Sequence, residues 1–254
     1  MRVLSDHPLC AEVSHLAVFL DVDGTLLDIA TKPDAVVVPP ELPPLLAALQ
    51  VRLVHAMALI SGRPLATLDR LFSPFRFPAA GLHGVERRDA RGIVCQAVVD
   101  TAGLDQARAL LAARLVACPG LLIEDKGLAL ALHYRSNPGL EPVAGEMMAA
   151  ALALAGEAWH LQPGKAVIEL KPRMANKATA IGAFMREVPY AGRRPVFIGD
   201  DVTDEDGFAA VNAMGGLSIR VGDGGATTHA MENLADVGAV YAWLQGLLTA
   251  DVVS

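Results

Sequence analysis

Apolar runs that stop abruptly at polar clusters recur along this chain. Leu16–Leu20 is uninterrupted apolar sequence ending at Asp21, and predicts a strand buried on both faces. Residues 41–50 place Leu42, Leu45, Leu46 and Leu49 at helical spacing. Residues 56–60 form a second buried-strand run ending at Ser61-Gly62-Arg63-Pro64, where Pro64 suits the opening of a helix. Residues 176–186 read as a helix with Ile181, Phe184 and Met185 towards a core, residues 195–199 as a third strand, 208–214 as a helix and 217–221 as a fourth strand. Alternation of this kind predicts a parallel α/β sheet, in which ligands bind beyond the carboxyl ends of the strands. Those ends carry Asp21, Ser61 and Asp200.

The middle of the chain has a different rhythm. A helix over 104–116 is followed by strands over 121–124 and 128–134, a helix over 142–155 and a strand over 166–170, with a hairpin around Asp125-Lys126-Gly127. This α+β pattern interrupts the α/β one. It predicts a smaller domain over residues 93–172 inserted into a larger one formed by 1–92 and 173–254, with hinges near Gly92 and Pro172.

Composition narrows the classes of function. A length of 254 residues allows one large domain or two modest ones. The 21 basic and 28 acidic residues leave a net charge of -7, which argues against a nucleic-acid partner. A 53% hydrophobic and 19% charged composition excludes disorder as the main state. The mean hydropathy of +0.39 calls for a search for a membrane span. The most apolar stretch, residues 147–156, is half of the roughly 20 residues that a span needs. Residues 1–12 include Asp6, His7, Pro8 and Glu12 and lack the apolar segment of a signal peptide. Cys10, Cys95 and Cys118 are scattered without a CxxC pair, as free thiols in a reducing cytoplasm are. A cytoplasmic location, a small-molecule partner, no membrane and a monomer are the expectations.

Two acidic clusters carry the candidate chemistry. Asp21 and Asp23 stand one residue apart in Asp21-Val22-Asp23-Gly24-Thr25, where like charges repel unless a cation or a shared task holds them. An EF-hand calcium loop requires its glycine at position 6, and Gly24 stands at position 4. The alternative is a nucleophile with a neighbouring acid/base: Asp21 attacks phosphorus, and Asp23 protonates the leaving alcohol and then activates water. The second cluster, Asp200-Asp201-Val202-Thr203-Asp204-Glu205-Asp206, follows the third strand and offers the hard oxygen ligands that suit Mg²⁺. Ser61 at a strand end can donate to a phosphate oxygen, or cap a helix. Lys177 at a helix start opposes the helix dipole, and makes sense beside an anion. Glu124 and Lys126 flank one turn and offer an acceptor and a donor, or else form an exposed hairpin ion pair. Glu169 alternates with Ile168 and Leu170 onto one face of its strand. His83 and His133 are left without a role.

Asp21-Val22-Asp23-Gly24-Thr25, Ser61-Gly62-Arg63, Lys177 and Gly199-Asp200-Asp201-Val202-Thr203-Asp204 resemble the four ordered motifs of the haloacid dehalogenase-like phosphohydrolases. Together with Ala80-Gly81-Leu82-His83-Gly84-Val85-Glu86, Ala131-Leu132-His133-Tyr134-Arg135, Gly164-Lys165 and Glu169-Leu170-Lys171-Pro172, they resemble the trehalose-6-phosphate phosphatase family, from about Leu16 to Trp243. The resemblance implies a Rossmann-like parallel-sheet core with an inserted α+β cap that sets specificity, and hydrolysis of trehalose 6-phosphate through a Mg²⁺-dependent aspartyl-phosphate. That reaction is the last step of trehalose biosynthesis. Asp21 is then the nucleophile and Asp23 the acid/base. Mg²⁺ is held by the Asp21 carboxylate, the Asp23 backbone carbonyl and Asp200, with Asp201 and Asp204 in support. Thr25, Ser61 and Lys177 surround the phosphate, and Glu124, Lys126 and Glu169, with Arg63 and Arg135, meet the disaccharide. The synthase domain fused to this phosphatase in some eukaryotes has no counterpart here, so the free-standing bacterial form is expected. The competing readings are another sugar-phosphate phosphatase or a phosphomutase of the same superfamily, and a non-catalytic sugar-phosphate sensor.

Overall fold

The computed structural model describes residues 13–30, 35–222 and 227–250. The readings made for residues 1–12, Cys10 among them, lie outside these.

In chain order the strands and helices are β1 (Leu16–Leu20), α1 (Leu42–Arg52), β2 (Met57–Ile60), α2 (Leu65–Leu71), β3 (Ala79–Gly81), β4 (Glu86–Arg88), β5 (Val94–Gln96), α3 (Ala102–Leu115), β6 (Leu122–Asp125), β7 (Leu130–His133), α4 (Glu141–Ala155), β8 (Trp159–Gly164), β9 (Val167–Pro172), α5 (Lys177–Phe184), β10 (Arg194–Gly199), α6 (Glu205–Ala213), β11 (Leu217–Val221), β12 (Glu232–Leu234) and α7 (Val237–Thr249). They build two sheets. The larger has eight strands in the order β12-β11-β10-β1-β2-β3-β4-β5, and the smaller has four, β6-β7-β9-β8. The large sheet is parallel from β12 to β3, and β4 and β5 join it antiparallel. The four-stranded sheet is antiparallel throughout.

The apolar runs form strands because both faces of the large sheet are covered. In β1, Leu16, Val18 and Leu20 join one core cluster while Ala17 and Phe19 join the other. Helices α1, α2 and α7 supply Leu46, Leu65 and Trp243 to the first cluster; α5 and α6 supply Phe184 and Phe208 to the second. Every second residue of a central strand therefore points to a different layer of helices, and no position favours a polar side chain. The small sheet has its own core. Leu130, Leu132, Trp159 and Leu170 pack there on Leu104, Leu111, Met147 and Met148 of α3 and α4.

The predicted elements are found with ends shifted by a few residues. Helix α6 begins at Glu205, three residues before the predicted start, because Glu205 and Asp206 suit a helix N-terminus. Five strands have no counterpart in the sequence reading. β3, β4, β5 and β12 are three residues each, too short for a period to show, and Pro163 and Gly164 disguise the end of β8. Helix α7 is a further element beyond those predicted, with Val240, Trp243, Leu244 and Leu247 at plain helical spacing. Residues 94–96 form β5 in the large sheet, so the small sheet's own elements begin with α3, after residue 93. Among the described residues no helix is long and apolar enough to cross a membrane.

Candidate active site

In the large sheet the chain runs outward from β1 to β2 and β3 on one side, and from β10 to β11 and β12 on the other. The strand order reverses between β1 and β10, and the loops beyond that pair diverge to leave a crevice. Asp21 follows β1 and Asp200 follows β10. The parallel register Leu20↔Ile198, extended by the bond from Asp21 N to Ile198 O at 2.9 Å, brings both carboxylates to the same rim.

The loop after β1 is drawn tight by Gly24 N to Leu27 O at 2.7 Å and by Leu26 N and Leu27 N on Val22 O at 2.9 Å. Gly24 is required there. Its φ is +86°, and a Cβ would stand 2.1 Å from Asp200 Oδ2. Beyond β10, Asp204 folds back: its Oδ2 accepts from Asp200 N at 3.1 Å and Asp201 N at 3.0 Å, and Asp201 returns a side-chain bond as a capping box.

Asp21, Asp200 and Asp204 are buried and offer oxygens within 4.8 Å of one another. Lys177 Nζ donates to Asp21 Oδ1 at 2.6 Å and to Asp204 Oδ1 at 2.5 Å. The cation at the start of α5 thus has its anions. Lys165 Nζ, from the turn between β8 and β9, donates to Asp200 Oδ2 at 2.5 Å. Burial raises the Asp21 carboxyl well above its ordinary range; Lys177 pulls it down, and the charges of Asp204 and Asp200 push it up again. Burial likewise lifts Asp200 to about 6, against the bond from Lys165. For Lys177 burial works against the charge, but Asp204 and Asp21 outweigh it and hold the ammonium above the usual lysine range.

Three carboxylates therefore meet two ammonium groups, and Asp200 Oδ1 is buried without a hydrogen-bond partner. A hard divalent cation fits this set of oxygens. The cluster unites Asp21 and Asp200 with Asp204, which the sequence reading gave a supporting place; Asp23 was expected to contribute its backbone carbonyl, and its carboxylate is engaged elsewhere. Arg63 Nε donates to Asp23 Oδ2 and Arg63 Nη2 to Asp23 Oδ1, both at 2.7 Å. Arg63, expected on the sugar, here holds Asp23 in a two-pronged grip.

Thr25 and Ser61 are fully buried, and neither is among the residues that line the cleft. Ser61 Oγ accepts from Arg63 N at 3.1 Å, and Thr25 Oγ1 has no hydrogen-bond partner among the described residues. The cleft is lined from the large sheet by Asp21, Asp23, Arg63, Lys177, Asp200 and Asp201, and from the small sheet by Glu124, Lys126, Arg135 and Glu169. Glu124 and Lys126 do not form the hairpin ion pair. His133 Nε2 lies 2.9 Å from Glu124 Oε2, while Lys126 Nζ donates to Glu169 Oε1 at 3.0 Å and to Gly62 O at 3.2 Å. Arg135 reaches Ala30 O across the cleft and Lys165 O at 2.8 Å. Lys165, Gln162, Thr203, His83 and His133 and the apolar Ile29, Val36 and Val167 also line it. Sequence reasoning gave none of these a role. Lys165 follows Gly164 in a motif of the sequence, but only the folded chain sets it beside Asp200.

The family model for trehalose-phosphatase matches residues 19–235. The trehalose-6-phosphate phosphatase of Escherichia coli (strain K12) is 44% identical over 232 residues, covering 91% of this chain and 86% of its own length. A Sinorhizobium fredii protein named "Probable trehalose-phosphate phosphatase" is 48% identical over 242 residues, covering 95% of this chain and 89% of its own. The solved C-terminal domain of the Candida albicans trehalose-6-phosphate phosphatase superposes with a TM-score of 0.83 at 22% identity, covering 97% of both chains, and so shares the fold. On the family match and these identities, the chain belongs to the trehalose-phosphatase family of phosphomonoester hydrolases.

Proposed function

We propose that this protein hydrolyses trehalose 6-phosphate to trehalose and phosphate, the closing step of trehalose biosynthesis. The observation that carries the chemistry is the buried cluster of Asp21, Asp200, Asp204 and Lys177 at the point where the strand order reverses. Asp21 Oδ attacks phosphorus and the sugar oxygen leaves, giving an aspartyl-phosphate. Asp23 gives the leaving oxygen its proton, then takes one from the water that cleaves the acyl phosphate, which frees Asp21 and phosphate. Arg63 fixes Asp23 for both transfers. Lys177 offsets the charge of Asp21 and of the phosphate.

Mg²⁺, held by the Asp21 carboxylate, the Asp23 backbone carbonyl and Asp200, supplies the further positive charge that a phosphate dianion needs beside these carboxylates. Asp201 and Asp204 hold that loop in shape. Ser61 keeps its own proton to donate to a phosphate oxygen, and Thr25 lies beneath the loop with an unbonded hydroxyl. Residues 102–172, from α3 to β9, act as the cap, and the large sheet with its helices as the core. Glu124, Lys126 and Glu169, with Arg135 at the cleft wall, face the disaccharide, whose hydroxyls need donors and acceptors in fixed places.

The test is phosphate release with Mg²⁺ from trehalose 6-phosphate, beside glucose 6-phosphate and sucrose 6-phosphate, with Asp21→Asn as the blank. Strong preference for trehalose 6-phosphate, abolished in the blank, is the expected result. Comparable rates on all three would leave a phosphatase without this substrate.

A further inference from the structure

Each of the two glutamates in the small sheet is met by one histidine, and the two histidines are anchored in different places. His133 and Glu124 belong to neighbouring strands of the same sheet, β7 and β6. His83 lies in the turn after β3 of the large sheet, yet its Nε2 is 2.9 Å from Oε2 of Glu169 in β9. Both side chains of this second pair are over nine-tenths buried.

The seat of His83 is built into the core. Leu82 and His83 both have left-handed backbones, with φ of 51° and 55°, a conformation costly for residues with a Cβ. The turn is held by His83 N on Ser61 O at 2.9 Å and Leu82 N on Arg63 O at 3.1 Å. Gly62 makes room for the ring, since a Cβ there would stand 2.7 Å from His83 Nε2. Glu169 is ionised between Lys126 and His83 and can only accept, so His83 Nε2 carries the proton. Burial pushes the His83 ring down to about 4, so it is neutral, and its Nδ1 is bare, buried and without a partner among the described residues.

We infer that His83 is a positioning residue for sugar recognition: from the core, it fixes the Glu169 carboxylate of the cap in the orientation that meets the disaccharide. This rests on the reading of Glu169 as a sugar-facing residue. Lys126 holds the other oxygen of Glu169 and reaches Gly62 O. The glutamate is therefore fully oriented only when the cap is seated on the core, which makes recognition of the sugar a consequence of closure.

Two variants test this. His83→Asn keeps a residue that tolerates the left-handed turn but is too short to reach Glu169. His83→Gln places an amide N–H near the position of Nε2. Kinetics are read on trehalose 6-phosphate and on p-nitrophenyl phosphate. His83→Asn is expected to raise KM for trehalose 6-phosphate about 10-fold or more, the scale of a lost hydrogen bond to a charge, with a smaller effect on the aryl ester. His83→Gln is expected to recover most of that loss. Equal losses on both substrates, no loss, or a glutamine variant as poor as asparagine would overturn the inference. If neither variant folds, or the wild type does not cleave trehalose 6-phosphate, ¹⁵N NMR of the wild-type imidazole decides separately. A neutral ring protonated at Nε2 supports the contact, and a proton at Nδ1 or a charged ring near pH 7 removes it. Failure of the wild type on trehalose 6-phosphate defeats the proposed substrate and leaves this contact standing or falling by the NMR result.

Discussion

Lys165 Nζ, in the two-residue turn between β8 and β9, bonds Asp200 Oδ2 at the end of β10 across the gap between the two sheets. The lysine side chain is half exposed, so its pair adds little to stability, below about 1 kcal/mol. Its place beside the reacting centre is another matter. Lys165→Ala is expected to shift the unfolding temperature by about 4 °C at most while lowering turnover of trehalose 6-phosphate and of an aryl phosphate together, each by about 10-fold or more. A loss confined to the sugar ester would move Lys165 from the chemical centre to the sugar end of the cleft.

Glu124 sits on the opposite side of that division. Burial works against its charge, but the bond from His133 and the charge of Lys126 outweigh it and keep the carboxyl below its usual range. Glu124→Ala should lower kcat/KM for trehalose 6-phosphate by about 10- to 100-fold and harm the aryl ester much less. Parallel kinetics on the two substrates give the ratio, and equal damage would remove Glu124 from sugar recognition.

Metal removal has a readout apart from activity. With a surplus of buried carboxylate in the Asp21, Asp200 and Asp204 cluster, returning Mg²⁺ to chelator-treated protein is expected to stabilise it by about 2.7 kcal/mol at a hundredfold excess over the dissociation constant. For a chain of this size that is roughly 5–10 °C in a thermal melt. Asp200→Asn should lose most of this shift. A melt indifferent to Mg²⁺ would separate the cluster from metal binding.

The residues proposed for the chemistry stood out in the sequence for a physical reason. Asp21, Asp23, Asp200 and Asp204 follow buried strands, so a local pattern sets their place, and Lys177 opens a helix where a cation is misplaced. The partners of the residues proposed to face the sugar were not legible. His83 and Glu169 are 86 positions apart, and no periodicity links a turn of one sheet to a strand of the other. Arg63 and Arg135 were found as residues but not as contacts. Their reach to Asp23 and to Ala30 depends on how the sheets stack, which short-range spacing does not record.

Acid should weaken the protein because burial keeps the His83 ring neutral, an effect that its contact with Glu169 only partly offsets. Between pH 6.5 and about 4 the unfolded chain takes up a proton at His83 that the buried ring refuses, so stability falls as pH drops through that window. The scale is about 3 kcal/mol. Glu169 acts in the same direction below about pH 4.5: burial would raise its carboxyl, but Lys126 and His83 hold it below the usual range, and that support disappears as the unfolded chain protonates. Urea midpoints at pH 7, 5.5 and 4.5 should fall more steeply for the wild type than for His83→Gln. Parallel slopes would mean that the ring is not kept neutral by the fold.

The register of β1 on β10 reaches further than positioning. Because Leu20↔Ile198 and the bond from Asp21 N to Ile198 O belong to the middle of the large sheet, the spacing of the two key carboxylates is stored in a backbone ladder that opens only with the whole domain. The end of the cleft proposed for the sugar has no such ladder. It joins the two sheets through side chains, Lys126 to Gly62 O, His83 to Glu169 and Arg135 to Ala30 O. Gentle heating should therefore blur the enzyme's choice of substrate before it stops the hydrolysis. Assayed along a temperature ramp, the preference for the disaccharide ester over an aryl phosphate should decay first, and phosphate release itself should end with the large sheet.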